Sequence, residues 1–379
     1  MCQRPSHLLI SFCNSIAGAP ALVLLDLESW SLSVLDVPDA LSTERATGLA
    51  MSESHLFVLT SKATAPAEET SADRRPSGLW VFDRADLSLA ARHTLSRVYD
   101  AHSMLTGPHG LDVVSTGTDE VIRVTLRGAE LIGEDVLWRP DPDGPRTDVH
   151  HLNGICRWKD RVLVSGMGRK SGRLWDSADA GFIVAIPSGE TILNARHPHS
   201  VMVLGETLAY CDSATAEFRI LGSPDAVTMP GYPRGACQAG SRVFVGTSRG
   251  RKTSKSTGLL TNRADPGAIA GQCAVVCCAL EPLSVERVIE MEPMGLEIYD
   301  ILPVDTVDRW PILPHTRWRD RLLHGLFSSL DERDAKTAWL HTELVARNET
   351  IRWLHTEVAA RDRTVEQLQK KIADGKEQT

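Results

Sequence analysis

The chain has 379 residues, 42% apolar and 24% charged, enough to bury a sizeable core in one large all-β domain with an appendage. Its formal net charge of −8 argues against broad polyanion binding, so no nucleic-acid partner is expected, although a local basic patch remains open. No window approaches the roughly 18 apolar residues of a membrane span, and Met1–Ser11 offers only Leu8–Ile10 as an apolar run, too little for a secretory leader.

The eight cysteines are dispersed, and none shows a CxxC spacing. Most sit in apolar strand-like runs, which reads as reduced, buried thiols in a cytoplasmic protein. A metal site at Cys273, Cys277 and Cys278 is poor, because alternation turns Cys277 and Cys278 to opposite faces of a strand.

In chain order, His7–Phe12, Ala21–Asp26 and Ser31–Asp36 read as three strands. Then a unit recurs: a polar residue, a short apolar strand, a turn, and a more apolar strand ending in Gly, Ser or Thr. It spans Thr47–Ser61, His102–Gly117, Leu152–Gly166, His199–Ser213 and Arg234–Ser248, with starts 35 to 55 residues apart. A third strand follows each pair (Gly78–Asp83, Glu120–Thr125, Gly181–Ile186, Ala216–Leu221, Gln272–Leu280), then a weaker fourth such as Leu87–His93 or Ser284–Glu290. Four short antiparallel strands per repeat is the pattern of a β-propeller. Glu297–Val304 is a lone first strand, and the three N-terminal strands complete it. The expected fold is therefore all-β: a six-bladed propeller over residues 1–304, closed by strands from both ends, which protects its edges. A β-sandwich would explain the strands but not the repeat.

Residues 305–336 read as a linker and an amphipathic helix, with Trp318, Leu322, Leu326 and Leu330 at helical spacing. That helix is expected to pack on the propeller rather than lie on a membrane. Residues 337–373 read as a coiled coil. Leu344, Ile351, Val358, Val365 and Ile372 recur every seven residues, and Leu340, Leu354 and Leu368 alternate with Arg347 and Arg361 at the partner position. β-branched residues at one core position and Leu at the other favour parallel dimers, so self-association or a partner helix is expected.

First-strand starts bring Thr47, Asp100 with His102, His150 and His151 with Asn153, His197 with His199, Arg234, and Tyr299 with Asp300 to one mouth of the ring. Convergent imidazole, carboxamide, guanidinium and carboxylate groups suit a ligand pocket, although any single residue could simply cap a strand. In one reading His102, His151 and His199 hold a divalent metal (Zn, Mn or Fe) near Asp300, but these three come from three separate loops, which gives no spacing signature of a metal site. In the other, the mouth takes an anionic or sugar-like ligand, with Arg234 clamping an anion and His and Asn donating to oxygens. Two long second-to-third-strand loops carry basic clusters: GMGRKSGR, with Arg169 and Lys170, and GTSRGRKTSKSTG, with Arg249, Arg251 and Lys252. Gly with Arg, Lys and Ser suits phosphate or carboxylate. The second has the wrong spacing and context for a P-loop, which excludes nucleotide hydrolysis. The remaining long loop, Ser61–Ser77, reads as disordered. No HExxH or dinucleotide fingerprint appears.

The phrases LNG at Leu152, HPHS at His197, PGYPRG at Pro230 with VFVGTSRGR at Val243, and EIYDILPV at Glu297 resemble those of an uncharacterised bacterial family with propeller-like repeats, a domain of unknown function. The resemblance covers about Val149–Val304 and implies a propeller without an established reaction. AGQCAVVCCAL at Ala270 departs from the plainer strand expected there. The C-terminal segment resembles coils appended to enzymes of bacterial surface-polysaccharide clusters, which implies an association with that chemistry and nothing more. Two functions stay open: a binding and scaffolding propeller for an anionic, sugar-containing or peptide ligand, and a metal-dependent propeller lyase or lactonase-like hydrolase.

Overall fold

The computed structural model describes residues 5–14, 18–61, 75–172, 175–249, 271–305 and 307–328, with scattered positions beyond. Strands β1 (His7–Phe12), β2 (Leu22–Asp26) and β3 (Leu32–Val34) lead into a short helix, α1 (Asp39–Thr43). Blade 1 is β4 (Ala46–Met51), β5 (His55–Thr60), β6 (Pro76–Asp83) and β7 (Leu89–Tyr99). Blade 2 is β8 (Ala101–Gly107), β9 (Gly110–Ser115), β10 (Glu120–Arg127) and β11 (Glu130–Trp138). Blade 3 is β12 (Leu152–Trp158), β13 (Arg161–Gly166), β14 (Gly181–Ile186) and β15 (Glu190–Ala195). Blade 4 is β16 (Pro198–Leu204), β17 (Thr207–Asp212), β18 (Glu217–Ile220) and β19 (Ala226–Thr228). Blade 5 is β20 (Tyr232–Ala239), β21 (Arg242–Ser248), β22 (Ala274–Leu280) and β23 (Leu283–Glu290). Blade 6 joins β24 (Ile298–Val304) to the N-terminal strands in the order β24-β1-β2-β3. All six sheets have four antiparallel strands, so the expected ring and its two-ended closure are both present.

The core is divided by the ring. Among the described residues the buried apolar side chains form six clusters, one at each interface between neighbouring blades. β1 shows why its sequence is a continuous apolar run. Leu8, Ile10 and Phe12 face blade 5, while Leu9 faces blade 1. A strand buried on both faces has no polar side to display. The neighbouring Cys277 and Cys278 likewise fall in different clusters, as alternation requires.

Second-strand hydroxyls tie blade to blade. Ser11 Oγ donates to the Thr47 carbonyl at 2.6 Å, Ser213 Oγ to the Pro233 carbonyl at 2.8 Å, and Ser248 Oγ to the Ile298 carbonyl at 3.0 Å. Thr116 Oγ1 donates to the Leu152 carbonyl, and Ser61 Oγ to Asp100 Oδ1 at 2.8 Å. Each bond runs from one blade to the inner strand of the next.

Three features depart from the sequence reading. The blade 5 inner strand starts at Tyr232, not Arg234, and α1 was not foreseen. Residues 305–314 do not behave as a free linker. Leu35 and Ile312 form an antiparallel bridge, Trp310 Nε1 donates to the Arg84 carbonyl at 2.7 Å, and Trp310 and Leu313 enter the clusters on either side of blade 6. Buried Trp310 and Leu313 are what turn a proline-marked linker into a strap, with exposed Ile312 contributing its backbone bridge. A helix, α2, covers 315–328 and buries Trp318, and the compact unit that contains the propeller ends at Leu323. The remaining unit, His324–Thr379, is described only at scattered helical positions beyond α2. Most of the heptad positions, and most of the Ser61–Ser77 loop, lie outside the described residues.

Ser11→Ala removes a buried staple at the closing blade and leaves the Thr47 carbonyl without that donor. It is expected to lower unfolding stability by about 1–2 kcal/mol with an unchanged far-UV spectrum. Urea unfolding checks this, and an unshifted midpoint would remove the staple from the account of closure.

Candidate functional site: the channel mouth

Every inner strand is irregular where it begins. The pairing with its neighbour slips between Ala46 and Leu49, Ala101 and Met104, Leu152 and Gly154, His199 and Met202, Pro233 and Ala236, and Ile298 and Asp300. Such bulges re-aim side chains. Arg45, Asp100, His151 and His197, just ahead of four of these strands, hold φ between 50° and 62°, a left-handed conformation that costs a non-glycine residue about 1 kcal/mol or more.

The re-aimed side chains meet across the channel. Arg234, from blade 5, lies 5.0 Å from the Tyr232 ring and 5.3 Å from the Tyr299 ring. Tyr299, from blade 6, packs on His102 of blade 2, with centroids 5.1 Å apart and blade 1 skipped between them. His102 meets His151 of blade 3 at 5.1 Å, and His151 meets Trp175 at 4.5 Å. His199 of blade 4 packs on Tyr232 at 5.5 Å. Lys170 Nζ sits 4.1 Å from the Trp175 ring centroid, so the β13–β14 loop reaches the same mouth.

Burial sets the charges. Desolvation pushes the His102 imidazole down to about 3 and His197 down to about 4, and it holds His199 well below the usual histidine range, with Arg234 acting in the same direction on His199. These rings are neutral at physiological pH. Arg234 is itself answered by Glu297, at 2.9 Å.

Polar atoms without partners gather here. Among the described residues, Thr47 Oγ1, Asn153 Nδ2, Trp175 Nε1, His197 Nε2, His199 Nε2 and Arg234 Nε are buried with no hydrogen bond. Native proteins rarely leave such groups orphaned, and each calls for a specific reason.

Of the residues expected at the site, His102, His151, His199 and Arg234 converge as described, while Asn153, in β12, accepts from Ser165 Oγ at 2.7 Å. Asp300 does not join them. Its Oδ2 accepts the Leu49 N–H and its Oδ1 the Ile301 N–H, both at 2.9 Å, so it links blade 6 to blade 1 beside the mouth. Arg169 is exposed and pairs with Asp141 at 3.0 Å, away from the imidazoles. Arg249 is exposed, and Arg251 and Lys252 lie outside the described residues. Among the described residues no group of three or more His, Cys, Asp or Glu is placed to hold a metal ion, so the set His102, His151 and His199 is not assembled as ligands. His199 packs against Tyr232 while the other two meet each other.

Several contributors were not foreseen. Asp148 accepts from His151 Nδ1 at 3.1 Å. Asp119, whose carboxyl is raised to about 6 mainly by desolvation, accepts the N–H groups of Val149 and His150 at 2.6 Å and so positions the loop that carries His151. Thr116 and Ser213 each stand 14 residues after the histidine they contact. Thr47 and Ser61, and Arg234 and Ser248, repeat that spacing. It is a readable signal for the mouth.

These features define a closed six-bladed propeller with a polar, aromatic-lined site at one end of its channel. The chain belongs to the DUF4915 family, a domain of unknown function, whose model matches residues 40–313. That match begins after the three N-terminal strands. No curated protein matches the chain. Among solved structures, a chain of a nidogen/laminin complex is similar at 11% identity and TM-score 0.52, covering 78% of this chain and 97% of that one. A Bacteroides caccae protein of unknown function is similar at 12% identity and TM-score 0.49, covering 79% and 99%. A Bacteroides fragilis protein, named provisionally as a 6-phosphogluconolactonase, is similar at 12% identity and TM-score 0.46, covering 79% and 96%. At these identities the nidogen/laminin likeness speaks to fold alone. Among the described residues no helix is long and apolar enough to cross a membrane.

Burial raises the Asp300 carboxyl to about 7 from an ordinary 3.8, against the two N–H groups that favour its charge, with the Cys237 thiol nearby. The folded state therefore binds this proton more tightly than the unfolded chain. The stability it contributes is full below about pH 4 and is lost as pH rises to about 7. Urea unfolding of Asp300→Asn beside the parent should show a gap that changes by a few kcal/mol, on the order of the linkage limit, across that window. A constant gap would contradict the assignment.

Proposed function

We propose that this propeller is a binding and scaffolding module whose channel mouth takes an anionic, sugar-containing or peptide ligand. The observation that carries this is the gathering of buried, unpartnered polar atoms at the inner-strand starts of blades 1, 3, 4 and 5. An arrangement selected for stability alone would pair them or replace them. The heptads of residues 337–373 supply self-association or a partner helix. A place in surface-glycan assembly rests only on the resemblance of that coil.

Thr47→Val tests the reading. The change keeps the side chain's shape and removes an unpaired buried hydroxyl, so it is expected to stabilise the free protein by about 1 kcal/mol. A loss of stability would mean that Thr47 serves the fold. Asn153→Ala should abolish binding of whatever small molecule co-purifies with the full chain, read by mass spectrometry of denatured extracts.

The coil is tested separately. A chain ending at Lys336 should be monomeric by light scattering while the full chain is larger, and equal masses would sink the oligomeriser.

A second reading, acid–base catalysis, is favoured by the Asp148–His151 pair, in which a carboxylate 3.1 Å from Nδ1 orients an imidazole. His151→Ala should then abolish turnover of any ester or lactone the full chain hydrolyses, without changing the urea midpoint by more than about 1 kcal/mol.

A further inference from the structure

The hydrogen bonds at the mouth decide which ring nitrogen of each histidine carries its proton. His102 Nδ1 lies 2.9 Å from the Asp100 carbonyl and 2.6 Å from Thr116 Oγ1. A carbonyl can only accept, and the Thr116 hydroxyl already gives its proton to the Leu152 carbonyl. Nδ1 must therefore be the donor, and Nε2 keeps a free lone pair. His199 repeats the arrangement. Its Nδ1 lies 2.9 Å from the His197 carbonyl and 3.0 Å from Ser213 Oγ, whose proton goes to the Pro233 carbonyl at 2.8 Å. His151 Nδ1 faces the Asp148 carboxylate at 3.1 and 3.2 Å, which fixes the same tautomer. Three imidazoles thus keep an acceptor at Nε2, and that of His199 is buried without a partner.

The unpartnered donors are equally defined. Asn153 Oδ1 accepts from Ser165 Oγ at 2.7 Å, which leaves its amide N–H groups as the unused side, and Trp175 Nε1–H is also unmatched. A carboxylate or sulfate brings acceptors only. It would meet lone pairs at the histidines, and the Arg234 guanidinium, although its Nε–H is unpartnered, already has its charge answered by Glu297. A hydroxyl both donates and accepts, so adjacent hydroxyls on one ring satisfy both kinds of orphan. Trp175, Tyr232 and Tyr299 bring aromatic rings to the mouth, packed against His151 and Arg234.

We propose that the mouth binds a neutral polyhydroxylated ring, a sugar or cyclic polyol, whose hydroxyls donate to Nε2 of His102 and His199 and accept from Asn153 and Trp175. This rests on the mouth being the binding site and narrows its ligand to one chemistry. Thr116 and Ser213 are positioning residues: they hold the two rings at Nδ1 and need not touch the ligand.

The test uses the full chain with 15N-labelled histidine. Long-range proton–nitrogen NMR at neutral pH should show His102 and His199 protonated at Nδ1. Methyl α-glucoside, methyl α-galactoside, methyl α-mannoside and myo-inositol are then titrated to tens of millimolar beside sodium acetate and sodium sulfate. At least one polyol is expected to move both Nε2 signals, and neither salt should. Ser213→Ala should weaken that polyol at least tenfold, with the His199 proton kept on Nδ1 by the His197 carbonyl, and Ser213→Thr should restore the affinity. Protonation of either histidine at Nε2 overturns the proposal. Acetate or sulfate moving the Nε2 signals while every polyol leaves them still overturns it too, yet leaves the mouth as a binding site. If no probe moves any mouth resonance, both readings fall.

Discussion

The structure depends on a hydroxyl at the end of a blade's second strand reaching the inner strand of the next blade. Serine or threonine at this place gives its proton across the interface, from Ser11 to Thr47, from Thr116 to Leu152, from Ser213 to Pro233 and from Ser248 to Ile298. Apolar packing between sheets is non-directional and would tolerate small slips. A buried hydrogen bond is directional, and leaving its carbonyl unmatched costs about 1–3 kcal/mol. The bond therefore fixes how far one blade is turned against the next. At blades 2 and 4 the same oxygen also receives the histidine Nδ1–H, so the joint that sets the ring also sets the imidazole.

The mouth is costly by the ordinary standards of a folded interior. Left-handed backbone precedes four inner strands, and six polar atoms are buried without partners. Neutral imidazoles face an arginine whose charge is answered by Glu297 at its rim. The strong apolar interfaces between blades can sustain these costs, because each sheet is buried on both faces. Rigidity there allows the mouth to stay partly unsatisfied without rearranging around its own orphans.

Much of the architecture was legible because hydrophobic alternation is local. The run HLLISF, split between two interfaces, and the lone strand EIYDILPV announced closure from both ends. The DUF4915 match, which starts at residue 40, does not include the N-terminal strands. The mouth was legible only in part. His102, His151, His199, Asn153 and Arg234 follow from strand starts, but Asp300 was grouped with Tyr299 although neighbours on a strand point to opposite sides. Trp175 and Asp148 sit in irregular segments where periodicity carries no information. The 14-residue spacing from mouth residue to hydroxyl was present in four repeats, and its meaning required knowing that the hydroxyl serves the next blade.

The strap after β24 makes blade 6 a mechanical anchor. Residues 305–318 cross its outer strand, bridge Leu35 to Ile312, and set Trp310 and Leu313 into the clusters on both flanks. Any load applied to the C-terminal segment is delivered first to this strap, and through it to the one blade stitched from both chain ends. The bridge and the two buried side chains spread that load over three blades instead of peeling β24 from β1 one bond at a time. A pull on the tail would thus meet the ring where β24 pairs with β1, and would find that seam already buttressed.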